Sequence, residues 1–385
     1  MAMKTKSELK SQVLRALRTQ GFSIRDGEIK KGRNKDKAVL RSLHTIAVNH
    51  RIEQARAGLK RHESELLQKI ASGRDVIPSD IRPRLVEVQA ESFDELLFRY
   101  ARLHWSIPVS AGYGRRLRFV IYDDANDKLI GIIGLGDPIF ALGPRDRWIG
   151  WGFEAKRDRL QCIMEAFVLG AVPPYSNLLC GKLVAMLLCS NEVRLAFQRK
   201  YHGNRSIVSG RPLDGRLALV STTSALGRSS LYNRIRFRGE EVYTSVGFTL
   251  GSGEFQFSNG VYRDLRMFGS RYCVATAKDK SWGIGFRNKR EVLRKVLPRL
   301  GLSPKLLYHQ VEREVFLVSL AKNSQAFLRG EQSRLRWHDR PAAEIFDWFR
   351  GRWLLPRAER DPSYASFERE AYRLWPSPGA HDKRE

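Results

Sequence analysis

Thr222–Arg234, with the sequence TTSALGRSSLYNR, carries the clearest structural signal in this chain of 385 residues. It follows the apolar run Leu217–Val220, which predicts a buried strand. The segment itself holds several hydroxyl groups, two arginines and a tyrosine, so we expect the strand to give way to a helix here. Helix N-termini leave backbone N–H groups free, and donor-rich residues at such a junction suit an anion or a charged substrate. The alternative is a capped turn that leads into an ordinary surface helix.

The spacing of the polar residues in this segment predicts a small reaction site. Ser229 and Tyr232 lie three positions apart and would share one face of a helix, with Arg228 at its start. One anion could then meet a hydroxyl, a phenol and a guanidinium together. Ser229 and Tyr232 are therefore catalytic candidates, and Arg228, Ser230 and Asn233 are anion-binding candidates. In the alternative interpretation, Tyr232 packs in the core and Arg228 pairs with a nearby acid.

A second junction of the same kind is Pro173–Val184, with the sequence PPYSNLLCGKLV. An apolar run ends at the two prolines, and a short polar loop leads into a helical pattern. Gly181–Lys182 resembles the end of a nucleotide-binding phosphate loop, but Ser176 stands where that motif needs glycine and Leu183 where it needs serine or threonine. We therefore exclude that motif. The ligand-binding candidates at this junction are Tyr175, Ser176, Asn177, Gly181 and Lys182.

The formal net charge is +27, from 68 lysines and arginines against 41 acidic residues. An excess of this size predicts a polyanionic partner, and nucleic acid, either DNA or RNA, fits best. An anionic membrane surface comes second, and a basic surface that only aids solubility comes third. A basic helical pattern from Asn34 to about Ala71 would lie along the nucleic acid, or would simply be a solvated helix face. Its predicted contacts are Arg51, Arg56, Lys60 and Arg61.

Cations and aromatic residues alternate in another region, between positions 145 and 159. Such mixtures can hold phosphates while they stack on bases. The alternative is that the two tryptophans of this region pack in the core. The nucleic-acid contacts predicted here are Arg145, Arg147, Trp148, Trp151 and Arg157.

Asp137 is the third catalytic candidate, because the sequence Gly136–Pro138 leaves its carboxylate at the exit of a predicted strand. Several carboxylates near strand ends could together hold Mg²⁺ for phosphodiester chemistry. Besides Asp137, they are Asp123, Asp124, Asp146 and Glu165. Turn capping is the alternative, and it is favoured for the first two. The eight histidines show no ligand spacing, so we assign no metal ligand, and the sequence identifies no cofactor.

We expect an α/β (α+β) protein with a mixed β-sheet core, a helical basic N-terminal arm and a helical C-terminal region. The expected segments are 1–75 for the N-terminal domain or arm, 76–114 for a mixed connector, 115–260 for the core, 261–360 for a helix-rich extension and 361–385 for a mobile tail. No apolar run reaches the length of about 18 residues that a membrane-spanning helix needs, and the N-terminus lacks the apolar stretch of a secretory signal. The four cysteines show no C-x-x-C pairing, which predicts free thiols and a reducing cytoplasmic location.

The two junctions also resemble GNAT-type acyltransferases. Pro173–Val184 has the order of that family's pantetheine- and pyrophosphate-binding segment, in which a splayed strand, a short loop and a helix follow one another. Ser229–Phe237 resembles the family's late helix, which often places a general-acid tyrosine at the position of Tyr232. The resemblance implies a GNAT-like topology for the sheet core. The chain departs from the family in the phosphate loop, which is reduced to the single glycine Gly181, so coenzyme A is not expected to bind well.

A longer resemblance extends from Trp105 to about Gly260 and rests on several ordered runs. These are Trp105–Ser110, Gly134–Phe140, Asp146–Trp151, Val168–Tyr175, Gly181–Ala185, Phe197, Lys200–Tyr201 and Thr222–Arg234. They resemble the DruA family, which was first described within Druantia anti-phage defence systems. The resemblance implies a role in bacterial defence or on a mobile element, beside nucleic-acid enzymes. It is compatible with other defence proteins, such as a helicase, as partners, and it implies no particular reaction.

Two function hypotheses follow from the sequence. The first is a nucleic-acid-binding component of an anti-phage system. The second is an enzyme that modifies or cleaves nucleic acid, by GNAT-like group transfer or by metal-dependent phosphodiester chemistry of the transposase type. The second hypothesis places the reaction site around Asp137, Pro173–Lys182 and Arg228–Tyr232.

Overall fold

The computed structural model of the chain describes residues 4–30, 36–109, 114–206, 210–277 and 285–375. The strands are β1 (Ile24–Arg25), β2 (Glu28–Ile29), β3 (Pro83–Glu87), β4 (Arg116–Asp123), β5 (Lys128–Gly136), β6 (Ile163–Ala171), β7 (Leu219–Thr223), β8 (Arg236–Phe237), β9 (Glu240–Glu241), β10 (Thr244–Phe248) and β11 (Glu314–Ser319). The α-helices are α1 (Lys6–Thr19), α2 (Lys37–Leu59), α3 (Glu63–Leu67), α4 (Phe93–Ala101), α5 (Gly143–Ile149), α6 (Phe153–Arg159), α7 (Cys180–Leu187), α8 (Asn191–Tyr201), α9 (Val261–Tyr272), α10 (Lys289–Arg299), α11 (Ser324–Leu328), α12 (Ala342–Phe349) and α13 (Leu355–Arg360).

Seven of the strands form one mixed sheet, in the order β3-β4-β5-β6-β7-β11-β10. The hairpin of β4 and β5 closes at the turn 123–127, as the two apolar runs and the aspartate-rich turn between them predict. All neighbouring strands are antiparallel except β6 and β7, which run parallel from the pair Ile163 and Leu219 to the pair Ala166 and Thr222. The mixed sheet with its helices confirms the predicted α/β class.

The centre of the sheet is interrupted on β6. The register between β5 and β6 shifts between Gly134 and Leu135, so that Phe167 is the extra residue of a bulge on β6. The parallel ladder with β7 ends one residue earlier, at Ala166. Beyond the bulge, β6 continues beside β5 to Ala171 while β7 ends at Thr223. The two parallel strands therefore part several residues before Pro173, where the apolar run of the sequence ends.

Both faces of the sheet are buried, because successive apolar residues of its strands belong alternately to two hydrophobic cores. On β4, Phe119 and Ile121 belong to the core that contains α7, while Val120 belongs to the core that contains α4. The length and composition of the segment 178–188 predict a buried helix, and α7 forms there. It is apolar on nearly all sides because it packs between the sheet and α12.

The N-terminal helix packs with helices from much later in the chain. Thr5 and Glu8 form the capping box that the sequence predicts, with Thr5 N donating to Glu8 at 2.7 Å. Leu9 and Val13 of α1 then share a core with Leu265 of α9 and Val296 of α10. The N-terminal segment is therefore part of a helical unit together with residues that follow position 257, and the division into five segments stays a prediction.

The long basic pattern after Asn34 forms several elements instead of one helix, and Asn34 itself lies outside the described residues. The helix α2 ends at Leu59, directly after the glycine at position 58, and a 3-10 turn leads into α3. At the other end of the chain, Tyr372 and Trp375 are buried against α4 and the sheet, so residues 362–375 are packed. The remainder of the predicted mobile tail lies outside the described residues. Among the helices that the structure describes, none has both the length and the apolar character needed to cross a membrane.

Candidate functional site

The segment that was predicted as a helix after β7 is a loop that ends in one 3-10 turn, Tyr232–Arg234. The prediction of an α-helix is wrong because the buried carboxylate of Glu314, at the start of β11, organises the loop. Glu314 accepts hydrogen bonds from Ser229 N at 2.9 Å, from Ser245 Oγ at 2.8 Å and from Asn233 Nδ2 at 3.3 Å. Ser229 and Asn233 are therefore held by an acid that lies more than 80 residues away in the sequence.

Tyr232 occupies the place where β6 and β7 part. Its ring stacks on Tyr243, with centroids 4.6 Å apart, and meets the edge of Phe316 at 5.1 Å. Burial raises the pKa of Tyr232 to about 12, and a hydrogen bond with the Thr222 side chain opposes part of that shift. Thr222 Oγ1 in turn donates to the carbonyl of Ala166 at 2.9 Å, and Ala166 is the last residue of β6 that pairs with β7. The phenol therefore stays protonated at neutral pH and can act as a hydrogen-bond or proton donor.

The other residues of this loop lie nearer to solvent. Arg228 and Ser230 are exposed, and Ser229 Oγ accepts a hydrogen bond from Tyr232 N at 3.2 Å. Since no α-helix begins here, Arg228 does not lie at the positive end of a helix dipole, as the sequence had suggested. It remains an exposed cation beside the loop.

The loop between β6 and α7 uses most of its own backbone donors. The residues whose N–H groups donate to carbonyls within residues 172–179 are Ser176, Asn177, Leu178, Leu179, Cys180 and Lys182. Donors that are already bonded in this way cannot cradle a pyrophosphate. Tyr175 is fully buried, and its hydroxyl donates to Asp123 at 2.9 Å. Tyr175 therefore has a structural role, and the prediction that it binds a ligand is wrong. Of its neighbours in the loop, Ser176 is exposed and Asn177 is half-buried.

The structure brings the two predicted junctions together. A β-carbon built on Gly181 would lie 3.5 Å from Leu231 Cδ1, so the start of α7 touches the loop that carries Tyr232. Lys182 places its ammonium 4.7 Å from the ring centroid of Trp353. Burial, followed by the charges of Arg234 and Arg352, lowers the pKa of Lys182. Three cations therefore surround this contact between the junctions.

Asp137 lies apart from that contact. Its carboxylate accepts hydrogen bonds from Arg115, at 2.9 Å from the backbone N–H and 2.7 Å from Nε. Asp137 follows Gly136, which pairs with Glu165 near the start of β6. The loop that leads to Gly181 follows the other end of β6. The length of β6 separates the two by on the order of 20 Å. Within the described ranges, no group of three or more His, Cys, Asp or Glu side chains is arranged to hold a metal ion.

The predicted nucleic-acid contacts between positions 145 and 159 are partly internal. Arg145 is 0% exposed, and its guanidinium binds Asp146 at 2.8 Å and the carbonyls of Ile139 and Phe140. The prediction that Arg145 contacts nucleic acid is therefore wrong, because its charge is used inside the protein. The two tryptophans, Trp148 and Trp151, pack against the core formed by α5 and α11.

The remaining predicted contacts are accessible but differ in their partners. Arg147 is exposed, whereas Arg157 is bound by Glu154 at 2.7 Å. On α2 and the turn after it, Arg56 is bound by Glu53 at 3.3 Å, while Lys60 and Arg61 are exposed. These residues stay predictions for a nucleic-acid surface.

Arg51, by contrast, lines a cleft whose polar side chains are mostly cations. We call this the arginine cleft: it lies between α2, α4 and the start of α10, has a volume of about 320 Å³, and is lined by Val48, Arg51, Gln54, Ala55, Arg99, Arg102, Leu103, Ile107, Pro108, Val109 and Lys289. A second, more open cleft on α9 is lined by Arg263, Arg266, Met267, Ser270 and Arg271. Lys289 of the arginine cleft also contacts α9, since its ammonium lies 4.7 Å from the ring centroid of Tyr262 in the first turn of that helix.

Sequence reasoning missed Arg99 and Arg102 in this cleft. They lie three apart at the end of α4, a spacing that places both on one helix face, which is the signal that could have found them. Their meeting with Arg51 and Lys289 depends on how α2, α4 and α10 pack together, and no local pattern records that arrangement.

Taken together, the fold and the two clefts define a strongly basic, mixed α/β protein with a central sheet that parts at one parallel strand pair. The family model of Druantia protein DruA matches residues 34–330. The Druantia protein DruA of Escherichia coli (strain UMEA 4076-1) is 36% identical over 372 residues, which cover 96% of this chain and 90% of that protein. The chain belongs to the Druantia protein DruA family. No solved structure matches it.

Proposed function

We propose that this chain is a nucleic-acid-binding component of a Druantia-type anti-phage defence system that works in the cytoplasm. One observation carries the proposal: the chain has two cationic clefts, and Lys289 of the first contacts Tyr262 of α9, the helix that carries the second. We call the cations of the two clefts the basic band. Its members are Arg51, Arg99, Arg102, Lys289, Arg263, Arg266 and Arg271. Neither cleft has a carboxylate in its lining. A band of this kind matches the repeating charge of a nucleic-acid backbone.

The surroundings of the band support this proposal. Acidic residues beside the band are used in ion pairs: Glu95 binds Arg118 at 2.9 Å, and Asp264 binds Lys4 at 2.7 Å and lies 3.6 Å from Arg263. The cations of the band outnumber the acids near them, which include Asp264 beside Arg263 and Glu254 near Lys289. Exposed Met267 and Tyr272 on α9 add surfaces on which bases could pack. Other proteins of the defence system, such as a helicase, are the partners that we propose for the bound complex.

The proposal is tested by fluorescence anisotropy with labelled single-stranded and double-stranded oligonucleotides. Affinity should fall by orders of magnitude between about 50 and 200 mM salt, because each phosphate contact releases counterions. Arg266→Gln should weaken binding and reduce the logarithmic salt slope by about 1. Arg334→Gln is the matched control, since Arg334 is exposed and does not line either cleft. Binding that is absent even at low salt would refute the proposal.

Group transfer at the contact between the two junctions is the second candidate function. Its support is the contact of Leu231 with Gly181, which brings Tyr232 into the neighbourhood of the α7 N-terminus. The parting of the parallel strands β6 and β7 and the bulge at Phe167 support a GNAT-like topology for the core. In this proposal Tyr232 is the proton donor, and Lys182 and Arg228 attract the anionic part of the substrate. Mass spectrometry of nucleic acid or protein incubated with the chain tests it.

A further inference from the structure

Three arginines of the arginine cleft lie close together without an ion-pairing carboxylate. Arg51 comes from α2, while Arg99 and Arg102 come from the end of α4 and the turn that follows. All three are half-buried, and across the described ranges none of them makes an ion pair or a side-chain hydrogen bond. The acid closest to them along α4 is Glu95, which forms its ion pair with Arg118 at 2.9 Å and also interacts with the charge of Arg99. The cations of the cleft therefore outnumber the one carboxylate beside them on α4.

This arrangement is electrostatically unfavourable when the cleft is empty. Burial, followed by the charges of Arg51, Arg99 and other arginines nearby, lowers the pKa of Arg102 to about 10. Desolvation, followed by the charge of Arg51, also lowers the pKa of Lys289. Like charges that are partly withdrawn from water raise the free energy of the folded chain unless an anion enters between them. Because an anion that binds between the cations relieves this repulsion, the cluster strengthens anion binding.

The shape of the cleft limits the size of that anion. Its volume of about 320 Å³ is at the lower end of ordinary ligand sites, so it admits one phosphate with an attached group and excludes a duplex. One wall is apolar and consists of Leu103, Ile107, Pro108 and Val109. Such a wall suits a sugar or base that follows the phosphate, whereas a small inorganic anion would leave it uncovered.

We propose that the arginine cleft binds the phosphate monoester of a nucleotide, either free or at the end of a nucleic-acid strand. Guanidinium groups match the geometry of phosphate oxygens in a bidentate manner, and a monoester carries more charge than the diester of a continuous strand. That higher charge is balanced by four cations, Arg51, Arg99, Arg102 and Lys289. This inference rests on the proposed function for naming a nucleotide, and it adds that strand ends are preferred over strand interiors.

The test compares oligothymidylate that has a 5′-phosphate with the same strand that has a 5′-hydroxyl, and thymidine monophosphate with thymidine. The full chain should bind the phosphorylated strand about tenfold more tightly, which corresponds to one good charge-assisted contact. Arg102→Gln should remove that preference, so that both strands bind with equal affinity. Arg266→Gln, which changes the basic band outside the arginine cleft, should weaken both strands and keep the ratio between their affinities. Arg51→Gln serves as the second variant, and Arg334→Gln should keep the full preference.

The outcomes separate this inference from the proposed function. Equal affinity for the two strands, together with no binding of thymidine monophosphate, overturns the inference even if nucleic-acid binding persists. A phosphate preference that survives in both Arg102→Gln and Arg51→Gln also overturns it, since the preference would then arise elsewhere. Binding of thymidine monophosphate without binding of either strand supports the cleft and refutes the nucleic-acid proposal. Preference for the phosphorylated strand without binding of the mononucleotide identifies the strand end as the ligand.

Discussion

Tyr232 stacks on Tyr243 with ring centroids 4.6 Å apart and an angle of 14° between the ring planes. The two tyrosines use their hydroxyls differently. Tyr243 Oη donates to Ala185 O in α7 at 2.7 Å, whereas the Tyr232 phenol meets Thr222 at the point where β6 and β7 part. The pair therefore combines one hydroxyl that holds a helix to the sheet with one that lies at the candidate reaction site.

Removal of the Tyr232 hydroxyl should separate function from folding. Tyr232→Phe keeps the stacked ring and loses only a hydrogen bond, which contributes about 1 kcal/mol, so the variant should melt within a few degrees of the wild type. Under the second candidate function it should nevertheless lose phage protection, as measured by plaque counts on cells that carry the complete system. Tyr243→Phe is the control, since it removes the partner hydroxyl of the same stack. A Tyr232→Phe variant that protects fully would exclude this phenol from the reaction.

Coenzyme A should bind poorly. The N–H groups before α7 already donate to carbonyls of their own loop, and Gly181 is the one glycine there, so few donors are free for a pyrophosphate. Calorimetry with acetyl-coenzyme A should show no micromolar heat signature. The expectation would be contradicted by a clear micromolar signal that Gly181→Trp abolishes, since a large side chain there would meet Leu231.

Arg145 should matter for stability and not for nucleic-acid affinity. Arg145→Gln leaves the carboxylate of Asp146 with Lys156 and the backbone N–H of Leu142 and removes the donors to two carbonyls, so it should destabilise the chain by about 3 kcal/mol or more. Urea unfolding measures the change. Arg147→Gln, two positions along and exposed, is the matched control and should stay within about 0.5 kcal/mol of the wild type. Equal effects of the two substitutions would show that Arg145 is not the internal anchor.

The sequence predicts the regular part of the fold well. Alternating apolar residues identify the hairpin of β4 and β5, and the spacing of leucines and alanines identifies α7, because both patterns are local consequences of burial. The predicted helix after β7 fails for a different reason. The carboxylate of Glu314 accepts hydrogen bonds from the backbone and a side chain of that loop. These hydrogen bonds join residues about 80 positions apart in the sequence. A local pattern contains no information about such a partner.

The candidate sites show the same division between local and distant causes. Gly181 and Tyr232 were each selected from their own segments, and the structure brings those segments into contact through Leu231. The burial of Arg145 and the assembly of the arginine cleft depend on packing between elements that are distant in the chain. Charge and spacing therefore indicate which residue types matter, while their exposure and partners follow only from the tertiary structure.

Acid should destabilise the chain through two buried histidines beside Phe255. His44 of α2 is 0% exposed with its ring 3.9 Å from Phe255, and His309 is 6% exposed with its ring at 4.7 Å. Burial, followed by the charge of Arg313, lowers the pKa of each histidine to about 3. The ordinary value of 6.5 applies once the chain unfolds.

Between pH 6.5 and 3 the unfolded chain therefore binds more protons than the folded chain. The stability that these neutral rings contribute is fully present above pH 6.5 and is lost as the pH falls through that window, by up to about 1.4 kcal/mol per pH unit for each histidine. Urea unfolding at several pH values should show this loss, and His44→Leu should reduce its slope. His202→Leu is the control, because it removes an exposed histidine that does not contact Phe255. A slope that His44→Leu does not alter would mean that other groups cause the acid sensitivity.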